Sequence, residues 1–412
     1  MTSHLPSESE PEAGLSRSRV LVVMGSYFLL TGVLQAFVPL RATNLGTDGA
    51  AIGILLVLTG GGIGLFTDLG FAAYADAYGR DKVVFAGFAC VLVAVCLVVV
   101  DSSITALFVG CFLVGLGSSA IFDPLLALLT TTKHNRSQAI TQGFNVTIQR
   151  AGALLAVATI GLTLASRHDE ILVVAGGAAC LAAMVVMYAA RRRSGRYSMA
   201  PVRRLESGGL KRLLKNGYRD GLKMFLRRRI VMAAIVSVAV NLIFIETNAF
   251  VPLLDTRHGL REAVVVTAAL GARDLVAIAV GVFTVATGKD ASSSKVVVAV
   301  LCLAAVSAAG IGLGRGGPHA MLILWCALQG VAIGVGVAAM NLLTVGASSE
   351  ERRSLAMAAA TLINRLGVIV IPVGLGLTLQ LAGLKFVFFV IAGTLVVFGL
   401  AFFGAGLRAE EQ

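Results

Sequence analysis

Hydrophobic residues occur along this chain in long runs that short polar stretches separate. An α-helix needs roughly 20 apolar residues to cross a hydrocarbon core of about 30 Å. Twelve runs reach that length, whereas the alternating segments of about ten residues that are typical of membrane β-barrels do not occur. The pattern predicts an all-α polytopic membrane protein with twelve transmembrane helices. The predicted spans, numbered one to twelve in chain order, cover residues 20–40, 50–73, 82–100, 104–130, 139–165, 171–190, 230–254, 263–288, 295–313, 320–345, 355–379 and 384–403.

The composition agrees with this pattern. Of the 412 residues, 57% are apolar and 14% are charged, and the mean hydropathy is +0.88. Soluble domains are closer to half apolar and a quarter charged. We therefore exclude a secreted disulfide scaffold, a disordered protein and a typical cytosolic enzyme. All cysteines lie inside apolar runs without zinc-ligand spacing, so we interpret them as packed hydrophobic residues: Cys90, Cys96, Cys111, Cys180, Cys302 and Cys326.

The basic residues predict the orientation in the membrane. If both termini are cytoplasmic, the inner segments hold 25 of the 34 lysines and arginines and the outer loops hold six. Without the long central segment, the ratio is still 11 to six. The positive-inside rule then favours this orientation in the cytoplasmic membrane. The amino terminus has no small-residue cleavage site before span one, so we do not expect a cleaved signal peptide.

A polar segment at 191–229 divides the chain into halves that resemble each other. The pentapeptide Ala-Phe-Val-Pro-Leu ends span one at residues 36–40 and recurs in span seven at 249–253. Arg150-Ala-Gly in span five matches Arg365-Leu-Gly in span eleven. Collinear matches at offsets of 213 and 215 residues indicate a duplicated six-helix unit, with a cavity at the repeat interface. We predict a cytoplasmic tail at 1–19, helix bundles at 20–190 and 230–404, a basic cytoplasmic linker at 191–229, and a second tail at 405–412.

The linker is strongly basic, with 14 lysines and arginines. Its apolar residues recur at helical spacing, which predicts an amphipathic helix on the anionic inner leaflet rather than a nucleic-acid site. These residues are Leu213, Leu214, Tyr218, Leu222 and Phe225.

The architecture and one loop resemble the major facilitator superfamily. Between spans two and three, Asp76, Gly79 and Arg80 match the superfamily signature, whereas Ala77 stands where an arginine is usual. The resemblance implies that the matching residues form a cytoplasmic latch between the halves, which is weaker here without the arginine. Cys111 in span four stands where many proton antiporters have an arginine, and span five lacks the glycine-proline-glycine signature of drug antiporters.

Ionisable residues inside a bilayer cost several kcal/mol unless they face a cavity or a partner. As proton-coupling candidates facing the central cavity, we select Asp68, Asp123, Glu246 and Asp274. Candidate substrate contacts are Tyr27, Thr31 and Gln35, which form one stripe at intervals of four residues, together with Arg150, Asn241 and Arg365. The alternative is that these charges form fixed salt bridges or helix caps, and that Asp123 satisfies backbone freed by Pro124.

Arg273 and Asp274 are neighbours in sequence and point about 100° apart on a helix. We therefore expect that they do not simply pair with each other. The five-residue glycine stretch at 60–64 lacks the strand, lysine and serine of a phosphate loop and is interpreted as close helix packing.

These observations favour a monomeric secondary transporter, with membrane lipids and protons as partners. Proton-coupled efflux of an organic small molecule, such as a drug or natural product, is the first hypothesis. Import of a polar or anionic solute is the second, and arginines that face the cavity would favour an anion. A receptor or lipid-handling protein on the same scaffold is the third. No nucleophile–base pair, metal-ligand set or nucleotide loop occurs, so neither an enzyme nor a cofactor is expected.

Overall fold

The computed structural model describes residues 17–59, 62–101, 103–131, 138–166, 168, 170–193, 218–224, 226–255, 260–287, 293–314, 318–347 and 353–410. Within these ranges the secondary structure is helical, and twelve segments are long and apolar enough to cross a membrane. The predicted fold class is confirmed: the protein is an all-α polytopic membrane protein built from two bundles of six helices.

Ten spans are single α-helices, and spans two and seven are interrupted. Span two consists of Gly49–Thr59 and Gly64–Tyr78, whereas span seven runs as Arg228–Ile245, a π-helix at Glu246–Phe250 and a 3₁₀ turn at Pro252–Asp255. The others, in order, are Arg17–Asn44, Arg80–Val100, Ile104–Thr131, Gln138–Ser166, Glu170–Arg193, Leu260–Thr287, Ser294–Leu313, His319–Val345, Arg353–Ala382 and Leu384–Glu410.

The irregularity in span two is described at Gly62 and Ile63, in the glycine stretch that was predicted to be a helix-packing surface; residues 60 and 61 lie outside the described residues. Gly62 N–H bonds to the Val57 carbonyl, and Leu65 N–H bonds back to Gly62, so the regular ladder is broken at this point. Glycines are poor helix formers, and a helix break at mid-membrane needs neighbouring helices around it. The glycines also allow a close approach, since a Cβ on Gly62 would lie 3.2 Å from the Ile369 side chain in span eleven.

The two halves meet along two seams. In the seam between spans two and eleven, a Cβ on Gly376 would lie 2.4 Å from the Gly49 carbonyl oxygen. In the seam between spans five and eight, a Cβ on Gly143 would lie 2.7 Å from the Gly281 carbonyl oxygen. Small residues let the helix backbones touch in both seams, as in other membrane helix pairs.

Only part of the predicted linker helix falls within the described residues. Leu213, Leu214 and Phe225 lie outside them, but residues 218–224 are helical. This short helix packs over the seam between spans two and eleven, because the Tyr218 hydroxyl donates to the Phe66 carbonyl and Gly221 lies against Leu69 and Leu355. Burial and the negative charge of Asp68 raise the pKa of Tyr218, so the phenol remains a hydrogen-bond donor at neutral pH.

Candidate functional site: a central cavity between the halves

A central cavity of about 120 Å³ lies between the two halves. Spans one, two, four and five of the first half line it together with spans seven, ten and eleven of the second. All six residues predicted as substrate contacts are in its wall: Tyr27, Thr31, Gln35, Arg150, Asn241 and Arg365.

Arg150 in span five is fully buried, and its charge is incompletely paired. Its Nη1 lies 3.6 Å from Oδ1 of Asp274 in span eight, which is beyond hydrogen-bond distance. Within the described residues, none of its three side-chain nitrogens has a hydrogen-bond partner. The guanidinium carbon instead lies 4.1 Å from the centre of the Phe244 ring and 5.9 Å from that of Phe28. Both rings line the cavity with Arg150.

Arg273 and Asp274 do pair with each other, so the sequence-based expectation was wrong. Arg273 Nη2 and Nε lie 2.6 and 3.1 Å from the two carboxylate oxygens of Asp274. Helical spacing fixes where each side chain starts, but a long arginine side chain can turn toward its neighbour when both are excluded from water. Arg273 also donates to the Thr247 hydroxyl and, at 2.8 Å, to Asn248 Oδ1. It is therefore bonded on all sides, in contrast to Arg150.

Arg365 in span eleven pairs with Asp68 in span two across the other seam. Arg365 Nε lies 2.6 Å from Asp68 Oδ2. The pair lies directly against the start of the second segment of span two, where a Cβ on Gly64 would come within 2.5 Å of Arg365 Nε and 2.6 Å of the Asp68 carboxylate. A second carboxylate, Asp123 of span four, faces the Thr361 hydroxyl at 3.4 Å and lies within electrostatic reach of both charges.

Each seam therefore holds one buried arginine–aspartate contact between the halves. Arg150 and Arg365 are repeat equivalents, and each faces an aspartate on the partner half, Asp274 and Asp68 respectively. The formal charges differ, because the seam of spans five and eight has two arginines with one aspartate. The seam of spans two and eleven has one arginine with Asp68 and Asp123. With all groups ionised, the seam of spans two and eleven carries an excess negative charge, whereas the two arginines of the other seam have Asp274 between them and Glu246 within electrostatic reach of Arg273.

Glu246 lies within the second half, at the start of the π-helix in span seven. Its Oε2 accepts a hydrogen bond of 2.9 Å from Gln329 in span ten, and its Oε1 has no partner within the described residues. None of the four predicted proton-coupling carboxylates lines the cavity, contrary to the expectation that they face it: Asp68, Asp123, Glu246 and Asp274. The reason is that the arginines and amides occupy the wall, and the carboxylates lie behind them.

Gln35 in the cavity wall contacts Asn248, which joins spans one and seven. Asn248 Nδ2 donates to Gln35 Oε1 at 3.0 Å, and the two residues are 213 apart, which is the offset of the repeat. Two equivalent positions therefore meet across the interface. Because Arg273 also bonds Asn248, a continuous path of polar contacts runs from the cavity wall to the seam of spans five and eight.

The signature loop lies at the end of span two and touches the other half. Asp76 accepts from Arg80 at 2.8 and 2.9 Å, and Gly79 between them has a φ of 110°, which favours glycine. The Asp76 carboxylate also faces Ser354 and the backbone N–H of Leu355, in the first turn of span eleven. A carboxylate at a helix amino end is favourable because the free N–H groups and the helix dipole are positive there.

Sequence reasoning missed several cavity residues. Phe28 and Phe244 flank Arg150, and Gln149 and Asn364 precede the two repeat-related arginines. The amide–arginine pairs were detectable, since Gln149 and Asn364 share the 215-residue offset of the arginines. The phenylalanines carried no such signal, because aromatic residues are common on every face of a membrane helix.

Comparison with known proteins agrees with this geometry. The family model described as Major Facilitator Superfamily matches residues 20–289. A search of curated protein sequences found no match. Among solved structures, a POT family transporter in complex with 5-aminolevulinic acid is similar with a TM-score of 0.73 and 15% identity over 97% of this chain and 98% of that one. The human organic anion transporter MFSD10 (TETRAN) is similar with a TM-score of 0.66 and 13% sequence identity, over 95% of this chain and 100% of that one. The nucleoside transporter NupG is similar with a TM-score of 0.63 and 13% sequence identity, over 94% of this chain and 99% of that one.

At these identities the structural likenesses concern the fold. The family match covers more than half of the chain and confirms the resemblance that the signature loop indicated. Family and fold together indicate a secondary transporter of small molecules rather than an enzyme. This chain belongs to the Major Facilitator Superfamily.

Proposed function

We propose that the protein exports an organic small molecule in exchange for protons, by alternately exposing the central cavity to the two sides of the membrane. The observation that carries this proposal is that both halves line one cavity while each seam holds a buried ion pair between them. Such pairs are costly to desolvate and strongly dependent on geometry. A change in their protonation or in cavity occupancy therefore shifts the balance between the arrangements of the halves.

Proton coupling is supported by the imbalance of buried carboxylates. Asp68 and Asp123 share Arg365, so one negative charge lacks a counter-charge, and a bound proton neutralises it. Glu246 is a second candidate, because one of its oxygens has no partner within the described residues. We propose that Asp76 and Arg80 act as the cytoplasmic latch, since Asp76 faces the amino end of span eleven.

Import of an anionic solute is the second candidate. The specific observation in its favour is that Arg150 lines the cavity without a hydrogen-bond partner in the described part of the chain. One structurally similar protein is named an organic anion transporter. Four aromatic rings in the same wall favour an amphipathic organic molecule, which suits export equally well: Tyr27, Phe28, Phe122 and Phe244.

The experiment that tests the proposal compares small molecules in cells and medium for the wild type and for Asp76→Asn, at matched membrane levels. Enrichment of a compound in the medium for the wild type alone supports export and identifies a substrate. Depletion of a compound from the medium favours the importer. No difference across a broad panel contradicts transport and favours a receptor or lipid-handling protein on this scaffold.

A further inference from the structure

The three arginines inside the membrane differ in how their charge is used. Arg273 donates to Asp274, Thr247 and Asn248, and Arg365 is bonded to Asp68 at 2.6 Å. Among the charged and polar groups of the described residues, Arg150 approaches only Asp274, at 3.6 Å, and both carboxylate oxygens of Asp274 already accept from Arg273. A buried guanidinium with no hydrogen bond is costly, because it has lost its water without gaining an acceptor.

The Arg150 guanidinium lacks a hydrogen-bond acceptor among the described residues. Asp274 is the single acid within ion-pair distance of Arg150 and Arg273 among the described residues. Glu246 is also within electrostatic reach of Arg273, but its described hydrogen bond is to Gln329. The N–H groups of Arg150 that have no acceptor among the described residues fit a monoanion, because a planar carboxylate matches the two parallel N–H groups of a guanidinium.

An aromatic surface begins beside this arginine and continues along the same wall. Phe28, whose ring lies 5.9 Å from the Arg150 guanidinium carbon, packs edge-on against Tyr27 with centroids 5.4 Å apart. Phe122 lies 6.1 and 6.4 Å from these two rings. All three line the cavity. A flat apolar ring placed here would gain offset or edge-to-face contacts as well as apolar burial.

We propose that the cavity binds an aromatic monocarboxylate, with its carboxylate on Arg150 and its ring on the Tyr27–Phe28–Phe122 surface. This inference rests on the transport function proposed for the cavity, whether export or import, and adds the substrate class that the site selects. It also assigns a role to Phe244, because the centre of its ring lies 4.1 Å from the guanidinium carbon of Arg150 and 5.6 Å from that of Arg273, which offers a cation–π contact to both. In this arrangement Asp274 stays committed to Arg273, and the substrate supplies the acceptor that Arg150 lacks.

The test measures binding by isothermal titration calorimetry with the full-length protein in lipid nanodiscs. The probes are cinnamate, cinnamamide, which keeps the ring but lacks the charge, and hexanoate, which keeps the charge but lacks the ring. Cinnamate is expected to bind about tenfold more tightly than cinnamamide, because the amide loses the charge-assisted bidentate contact. It is expected to bind several-fold more tightly than hexanoate, because the alkyl chain keeps the apolar burial but loses the aromatic contacts.

Two variants assign the contacts. Arg150→Met should abolish the preference for cinnamate over cinnamamide, and Phe28→Leu should reduce the preference for cinnamate over hexanoate while keeping the requirement for charge. Arg219→Gln is the matched control, because this exposed linker arginine lies outside the cavity and loses the same charge. If Arg150→Met fails to fold, the relative affinity of the wild type for cinnamate and cinnamamide still tests whether the cavity requires a carboxylate.

Equal affinity for cinnamate and cinnamamide, or no binding of cinnamate, would overturn the assignment. Transport of another class of solute could then still be found by metabolite profiling, so the proposed function would stand. Discriminating binding without any movement of cinnamate or another compound across proteoliposomes would support the site and contradict the transporter.

Discussion

Single residues in this protein differ most in whether a buried charge is satisfied. Arg273 is fully bonded and is best understood as a structural cation, whereas Arg150 and Glu246 each keep polar atoms without partners in the described residues. Buried polar groups in membrane proteins are expensive, and those that stay unsatisfied are good candidates for binding something during function. The residues to test first are therefore those with an unused donor or acceptor.

Replacing Glu246 with glutamine tests proton coupling at one residue. The amide keeps the size of the side chain and can still contact Gln329 but cannot take up a proton as a carboxylate does. We expect Glu246→Gln to lose uphill transport driven by a pH gradient and to retain exchange of substrate across proteoliposomes. Glu246→Asp, which keeps the ionisable group, is the control. Uphill transport at the wild-type rate in Glu246→Gln would eliminate Glu246 as a carrier.

Replacing Gly64 with alanine tests whether the ion pair of Asp68 and Arg365 contributes to stability and transport. The new Cβ would lie within 2.5 Å of Arg365 Nε, so the pair must move. Overpacking of this kind costs about 1–3 kcal/mol. We expect Gly64→Ala to lower both the thermal unfolding temperature and the transport rate.

Gly374 in span eleven provides the control for Gly64, because nothing lies within 4 Å of a Cβ added there. Gly374→Ala should leave the rate unchanged and keep or slightly raise the unfolding temperature, as alanine is the better helix former. If the two alanine variants behave alike, the close approach at Gly64 has no functional consequence.

The sequence predicted local features of the site better than distant ones. The stripe of Tyr27, Thr31 and Gln35 lines the cavity as predicted, because four-residue spacing on one helix fixes a shared face. The contact of Arg365 with Asp68 joins residues 297 positions apart, and no local pattern encodes such a pairing. Twelve spans were predictable because apolar length alone decides membrane insertion.

At the scale of whole elements, the two interrupted spans carry much of the chemistry. Span two breaks just before Asp68, and span seven changes to a π-helix at Glu246. π-Helices and breaks are frequent at functional sites, because they free backbone groups and redirect side chains. The repeat shows that the irregular helix is specific to span seven. The pentapeptide Ala-Phe-Val-Pro-Leu is α-helical in span one, whereas in span seven it runs from the π-helix into the 3₁₀ turn.

The contact of span two with span eleven predicts the effect of Asp76→Asn. The substitution removes the negative charge that faces Arg80 and the amino end of span eleven. Losing a charge-assisted hydrogen bond costs about 1.5 kcal/mol or more, enough to shift a two-state equilibrium about tenfold. We expect slower transport with normal membrane insertion, measured as initial rates at matched membrane levels.

Asp81→Asn is the matched control for the latch, since this acid lies in the same loop in the first turn of span three. It should transport at the wild-type rate. If Asp76→Asn transports as fast as Asp81→Asn, Asp76 does not act as a latch.

At the scale of the molecule, the two halves must move relative to each other for the cavity to change sides. Gln35 and Asn248 meet across their interface, so joining these positions should stop the motion. In a background with the six native cysteines replaced by serine, we expect Gln35→Cys with Asn248→Cys to stop transporting after treatment with a short thiol crosslinker.

The control is the same double variant treated with a monofunctional thiol reagent, which carries both substitutions and both modified thiols but no link between the halves. Its transport rate is the reference for the crosslinked sample. Unchanged transport by the crosslinked double variant, verified by mass spectrometry, would show that this contact does not open during the cycle.

The most direct test of proton-coupled transport uses the purified protein in liposomes with an imposed pH gradient. The probe is the compound whose distribution between cells and medium changes on expression of the wild type. The account predicts that this compound accumulates against its own gradient while the pH gradient lasts, and that a protonophore abolishes the accumulation. Movement only down its gradient, at a rate that the pH gradient does not change, would contradict it.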